Sequence, residues 1–159
     1  MFKSDEEKMQ DLINNCSKMS NAELVKAIKN IEQDEVKFQA LDKCKEKMNN
    51  SNLETIIKSF NIDELKLQSL QEYYSKISTK AITTIILSIK IDEVKLQALK
   101  ICYKGMDSNS IVSCIEVLNI EELRAQALNE LGRYIDKSDS KKIIDSISNE
   151  DIKRSITIK

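Results

Sequence analysis

The chain has no proline, no histidine and no tryptophan, and only two glycines among its 159 residues. Without proline nothing interrupts a helix from within. Without histidine the ordinary general base, triad base and imidazole metal ligand are all missing. Gly105 and Gly132 stand alone, so there is no glycine-rich phosphate loop, and no zinc or calcium spacing is present. Aromatic residues make up 4% of the chain, which leaves little material for base stacking. Neither sign of charge is in excess: the net charge is −1 and the pI about 5.7, so no overall field draws in nucleic acid or anionic lipid. Long apolar runs are also lacking. The most apolar window, Ala81 to Ile91, is broken by Thr83, Thr84, Ser88 and Lys90 and is too short to span a bilayer. The first residues, Met1 to Glu7, are too acidic and polar for a signal peptide.

What the chain does have is repetition. Lys90-Ile91-Asp92-Glu93-Val94-Lys95-Leu96-Gln97-Ala98-Leu99 recurs as Asn61 to Leu70, as Asn119 to Leu128 and, more loosely, as Glu32 to Leu41. Val36, Leu65, Val94 and Leu123 stand 29 residues apart without a gap, the signature of a stacked solenoid. A degraded first copy surrounds Asp5. The expected organisation is a single helical-repeat domain over 1–159, with units beginning near residues 2, 31, 60, 89, 118 and 147. The expected fold is all-α: a right-handed α/α solenoid of 29-residue helical hairpins, about five repeats and a partial last one.

Each unit reads as two helices. The first carries a broad apolar face through the columns of Val36, Phe38, Ala40, Leu41, Cys44 and Met48. At its start, Asn61 and Asn119 are suited to cap, with Glu64 and Glu122 as reciprocal partners. Asp34, Asp63, Asp92 and Glu121 then place negative charge in the first turn, and Lys37, Lys66, Lys95 and Arg124 follow within reach. As exposed pairs these are worth about 0.2–0.5 kcal/mol each. The second helix is announced by another capping column, Ser20, Asn49, Ser78, Asp107 and Asp136, followed by an inner isoleucine column of Ile28, Ile57, Ile86, Ile115 and Ile144. The stretch from Ala81 to Ser88 is apolar nearly all round, as a helix flanked on both sides would be. Gly105 is placed to end a first helix in a left-handed conformation, and Gly132 to permit close approach where Tyr74 and Tyr103 stand in earlier units. Cys16, Cys44, Cys102 and Cys114 lie far apart, and Tyr73, Leu131 and Ile85 fill repeat-equivalent positions. They read as reduced, buried thiols of a cytoplasmic, reducing compartment.

The phrase Phe60-Asn61-Ile62-Asp63-Glu64-Leu65-Lys66-Leu67-Gln68-Ser69-Leu70 resembles a small helical-repeat domain of unknown function found in bacterial and animal proteins. Phe60, Asp63, Lys66, Ser69 and Leu70 carry the likeness, as do Ile89, Asp92, Lys95, Ala98 and Leu99. Leu118, Glu121, Arg124, Ala127 and Leu128 keep it with like-for-like charge exchange. The resemblance covers roughly Ile31 to Ile144 and implies a fold without an established activity. More generally the chain is similar to α-solenoids.

No catalytic, cofactor-binding or metal-binding residue is identified, and the chain reads as non-enzymatic. Candidate interaction residues are Gln39, Gln68, Gln97 and Gln126, a column in which lysine or glutamate would serve a helix equally well; Gln10 shares it. The amides could bond adjacent units or meet an extended partner. Lys66 and Lys95 are the basic candidates, and Tyr74 and Tyr103 the aromatic ones, either half-buried core or a peptide-gripping patch. The expected function is a protein- or peptide-interaction module without cofactor or membrane contact. The alternatives are a nucleic-acid-binding repeat, disfavoured by charge, or a structural, self-associating one.

Overall fold

A computed structural model describes residues 2–158; Met1 and Lys159, which the single-domain reading includes, lie outside them. All regular structure among the described residues is helical. The first helices of the hairpins are α1 (Asp5–Asn15), α3 (Asp34–Cys44), α5 (Asp63–Tyr73), α7 (Asp92–Cys102) and α9 (Glu121–Leu131), each 11 residues long. Their partners are α2 (Asn21–Lys29), α4 (Asn50–Ile57), α6 (Thr79–Ser88), α8 (Ser108–Glu116) and α10 (Lys137–Asp145). A short α11 (Glu150–Arg154) begins a further unit. Within each hairpin the first helix tightens into a single 3-10 turn, Tyr74–Lys76 for example, before the chain reverses.

The hairpins stack into two layers. First helices pack on first helices from α1 through α11, and second helices on second helices, α2 on α4, α6 on α8 and α8 on α10. This is a helical-hairpin solenoid of about five repeats. Each unit buries too little apolar surface to stand alone, so stability comes from burying one unit's face against the next. Leu41, Leu70, Leu99 and Leu128 are wholly buried in one layer, and Ile28, Ile57, Ile86 and Ile115 in the other. Small residues precede the leucines, and Ala40, Ser69, Ala98 and Ala127 let neighbouring first helices approach closely. Ser69 satisfies its buried hydroxyl by donating to the Leu65 carbonyl at 2.7 Å.

The starts of the second helices follow the sequence expectation. Ser20, Asn49, Ser78 and Asp107 each accept from the amide three residues on, at 3.3, 2.8, 3.1 and 2.7 Å. Asp136 makes no such side-chain bond. In α6 the expectation of all-round burial is corrected: Ala81, Ile82, Ile85 and Ile86 are buried, but Leu87 is 40% exposed. Gly105 is corrected too, since neither glycine adopts a positive φ; Gly105 simply ends a 3-10 turn. Gly132 does permit close approach. A Cβ built there would lie 3.0–3.2 Å from the Ile158 side chain, which folds back over it. Asn129 holds that tail in place by donating to the Ser155 carbonyl and accepting from the Thr157 amide.

Cys44, Cys102 and Cys114 are buried, and burial pushes each thiol up to about 12, so the reactive thiolate is suppressed. Cys16 differs: it opens a 3-10 turn in the column of Tyr74 and Tyr103 and is half-buried. All four thiols are free.

Candidate functional site

The edge of the stack where one hairpin hands over to the next is built on a repeated ion ladder. Each first helix opens on an acid whose side chain reaches forward to the loop of the following unit. Asp5 accepts from the amides of Glu32 and Gln33 at 2.9 and 2.7 Å. Asp34 accepts from Asn61 and Ile62, Asp63 from Lys90 and Ile91 at 3.0 and 2.9 Å, and Asp92 from Asn119 and Ile120 at 2.6 and 2.9 Å. Glu121 repeats the pattern with the amides of Ser148 and Asn149 at 2.8 and 3.2 Å. A charged acceptor shared by two amides is strong, and here it fixes the entry of each incoming helix.

The bases stand behind the acids. Lys37 and Lys66 approach the free carboxylate oxygens of Asp34 and Asp63 at 3.7 and 3.8 Å, and Lys66 donates onward to the Ser88 carbonyl at 3.0 Å. Lys95 is buried equally, but its ammonium makes no ion pair or hydrogen bond among the described residues. The acid and base columns are therefore not the exposed helix-start pairs that the sequence suggested. Asp34, Asp63 and Asp92 are buried, and they join successive units. Asn61 and Asn119 do not cap either; they contribute backbone amides to the ladder, and Ile62 and Ile120 occupy the N-cap positions.

This geometry sorts the candidate interaction residues by exposure. Lys66 and Lys95 are 5% and 6% exposed, covered within the joints between units, and Lys66 ties its joint through the Ser88 carbonyl. Gln39, Gln68, Gln97 and Gln126 lie on the exposed face of the first-helix layer. Gln126 donates to Glu130 within its own helix at 3.1 Å, and Gln10 to Asn14 at 3.1 Å; no glutamine of the column bonds a neighbouring unit among the described residues. Tyr74 and Tyr103 sit half-buried on the opposite edge, in the 3-10 turns. There Tyr103 stacks on Tyr134 with ring centroids 4.8 Å apart. The structure thus places the candidates in three locations: the glutamines on one face, the tyrosines on one edge and the lysines inside the other edge.

A further group escaped the sequence reading. Leu87, Ile91, Val117 and Ile120 are 40%, 45%, 41% and 38% exposed, and all lie where hairpins of the third to fifth units meet. Half-buried Ile62 holds the same position one unit earlier. The available signal was the column itself. Ser4 and Asn149, at its two ends, cap their helices through their side chains, whereas isoleucine has nothing with which to cap.

Among the described residues no three of the metal-ligating type gather, and no helix is long and apolar enough to cross a membrane. Compared with family models, curated proteins and solved structures, the chain matches none. What stands of the resemblance is the small, all-helical repeat fold.

Proposed function

We propose that the chain is a non-enzymatic module that binds a protein or peptide along its stacked first helices. The observation that carries this reading is the glutamine column: an amide at every repeat, facing solvent, with no bond to the next unit among the described residues. A column that tied the units together would show amide contacts across them, as the aspartate column does. Glutamine offers both a donor and an acceptor, so a regular row can meet the backbone of an extended partner without regard to its charge. Burial of Lys66 and Lys95 weakens the nucleic-acid alternative, because those residues headed its only candidate basic column.

The test is Gln68→Ala combined with Gln97→Ala, assayed against peptides selected on the wild-type chain from a random library. The expected outcome is a loss of affinity of roughly tenfold with an unchanged melting temperature. Unchanged affinity together with a lowered melting temperature would overturn the reading and return the glutamines to a structural role.

A further inference from the structure

We propose that the hairpin-to-hairpin edge of the third to fifth units is a second docking surface, independent of the glutamine face, whose partner is a basic, amphipathic helix of another protein. The first ground is exposed apolar surface without internal use. Ile91 and Ile120 stand at N-cap positions, where serine, aspartate or asparagine would stabilise the helix better, and both leave more than a third of their surface in water. Leu87 and Val117 adjoin them in sequence, across the same two turns.

The second ground is preorganisation. The amides of Ile62, Ile91 and Ile120 are each held by the buried aspartate of the preceding unit, and their backbones agree closely: φ/ψ of −81/121, −84/118 and −82/116°. The ladder therefore presents these side chains in a fixed row. A partner meeting a rigid row loses less ordering entropy on binding. Neighbouring packed helices lie about 8–10 Å apart, close to the roughly 10.5 Å rise of seven helical residues, so a helix with an apolar residue every seventh position matches the row.

The third ground decides the partner's charge. Glu64, Glu93 and Glu122 follow the isoleucines two residues on, all exposed, and Glu116 adjoins Val117. None of the four makes an ion pair among the described residues; Lys90 is the base within the turns of Ile91 and Ile120, and Lys58 the one in the turn of Ile62, so the acids outnumber the bases along the row. An acid rim around an apolar row repels nucleic acid and anionic lipid. It also disfavours a second copy of the same edge, which would set carboxylate against carboxylate. A segment that alternates lysine or arginine with leucine satisfies both features.

The experiment uses the full chain and two synthetic helical peptides with leucine at heptad spacing, one carrying lysine at its remaining charged positions and the other glutamate. Binding is read by fluorescence anisotropy, and mass by sedimentation. The expected result is saturable binding of the lysine peptide alone, weakened about tenfold or more by Ile91→Ser with Ile120→Ser. Serine is the better N-cap, so that variant stays folded and lost binding cannot be ascribed to unfolding. Glu93→Lys with Glu122→Lys should lose the lysine peptide and gain the glutamate one, while Gln68→Ala with Gln97→Ala should change neither. Three outcomes would each overturn the proposal: no binding up to roughly 100 µM, equal binding of both peptides, or a wild-type dimer that Ile91→Ser with Ile120→Ser makes monomeric.

Discussion

The two edges of the stack solve the same joining problem in opposite ways. Where hairpins follow one another, every joint uses one device, a carboxylate that takes two amides from the next unit. Where the two helices of a hairpin meet, each joint is different. Lys47 donates to the carbonyls of Ser17 and Met19, Thr79 donates to that of Gly105, Tyr103 stacks on Tyr134, and Ile158 covers Gly132. The residues that open the 3-10 turns vary accordingly: Cys16, Lys45, Tyr74, Tyr103 and Gly132. The first edge is uniform because backbone amides are identical in every unit and a buried acid must find them. The second is variable because apolar and long polar side chains can fill its space in several ways.

The comparison breaks most visibly at Asp63. Asp63→Ala leaves the amides of Lys90 and Ile91 without their acceptor and strips buried Lys66 of its counter-charge. Removing one partner of a buried pair costs about 3–5 kcal/mol. In a linear array that cost falls on one joint, so thermal unfolding should divide into two transitions and hydrogen exchange should accelerate on the C-terminal side first. The same change at Glu121, whose pair with Arg124 is partly exposed at both ends, should have a smaller effect on melting. Equal losses at Asp63 and Glu121 would show that burial does not set the strength of the joint.

The variable edge should be far more forgiving. Gly132 has φ/ψ of −57/−27°, which alanine adopts readily, and what a Cβ would meet is the end of a partly exposed Ile158 side chain. Reduced freedom of the unfolded chain opposes the crowding, so Gly132→Ala should alter stability by less than about 1 kcal/mol by chemical denaturation. Gly132→Tyr, which restores the residue of the preceding two units, should instead unseat the tail and raise exchange at the Thr157 amide.

The same contrast explains what the sequence made legible. Periodicity alone located the helices, because Val36, Leu65, Val94 and Leu123 repeat without insertion and the second helices carry good capping residues. The acid and base columns were visible, and acid–base pairs three residues apart are present, but their burial and the acids' second partners, the amides of the next unit, were not visible. A helix-start aspartate and a lysine three residues later look the same whether they face water or the next unit. Only stacking puts Asp63 beside the Lys90 and Ile91 amides, a contact 27 and 28 residues away in sequence. The exposed isoleucines were missed for a related reason. In a repeat rich in apolar columns, Ile91 and Ile120 look like core until the N-cap geometry turns them outward.

The smallest effect concerns acid, and it discriminates between the ends of the uniform edge. Lys8 and the amides of Gln33 and Glu32 hold the Asp5 carboxyl below its ordinary value. The bonds from Ser148, with that from Asn149 and the Arg124 charge, lower Glu121 likewise. A carboxylate with a depressed folded-state value binds fewer protons folded than unfolded. Its stabilisation is therefore complete above the unfolded value of about 4 and disappears as the pH falls through the lower folded one. The first and last joints should accordingly loosen on acidification within that window. Exchange at the Gln33 and Ser148 amides should rise, beyond the intrinsic pH dependence, as the pH is lowered from about 5 to about 3. Asp5→Asn should flatten the response at Gln33 while leaving Ser148 unchanged, because each joint contains its own acid and its own two amides. A response at Ser148 that moved with Asp5 would mean that the stack melts as one body, and would set the cooperativity of the array above the independence of its joints.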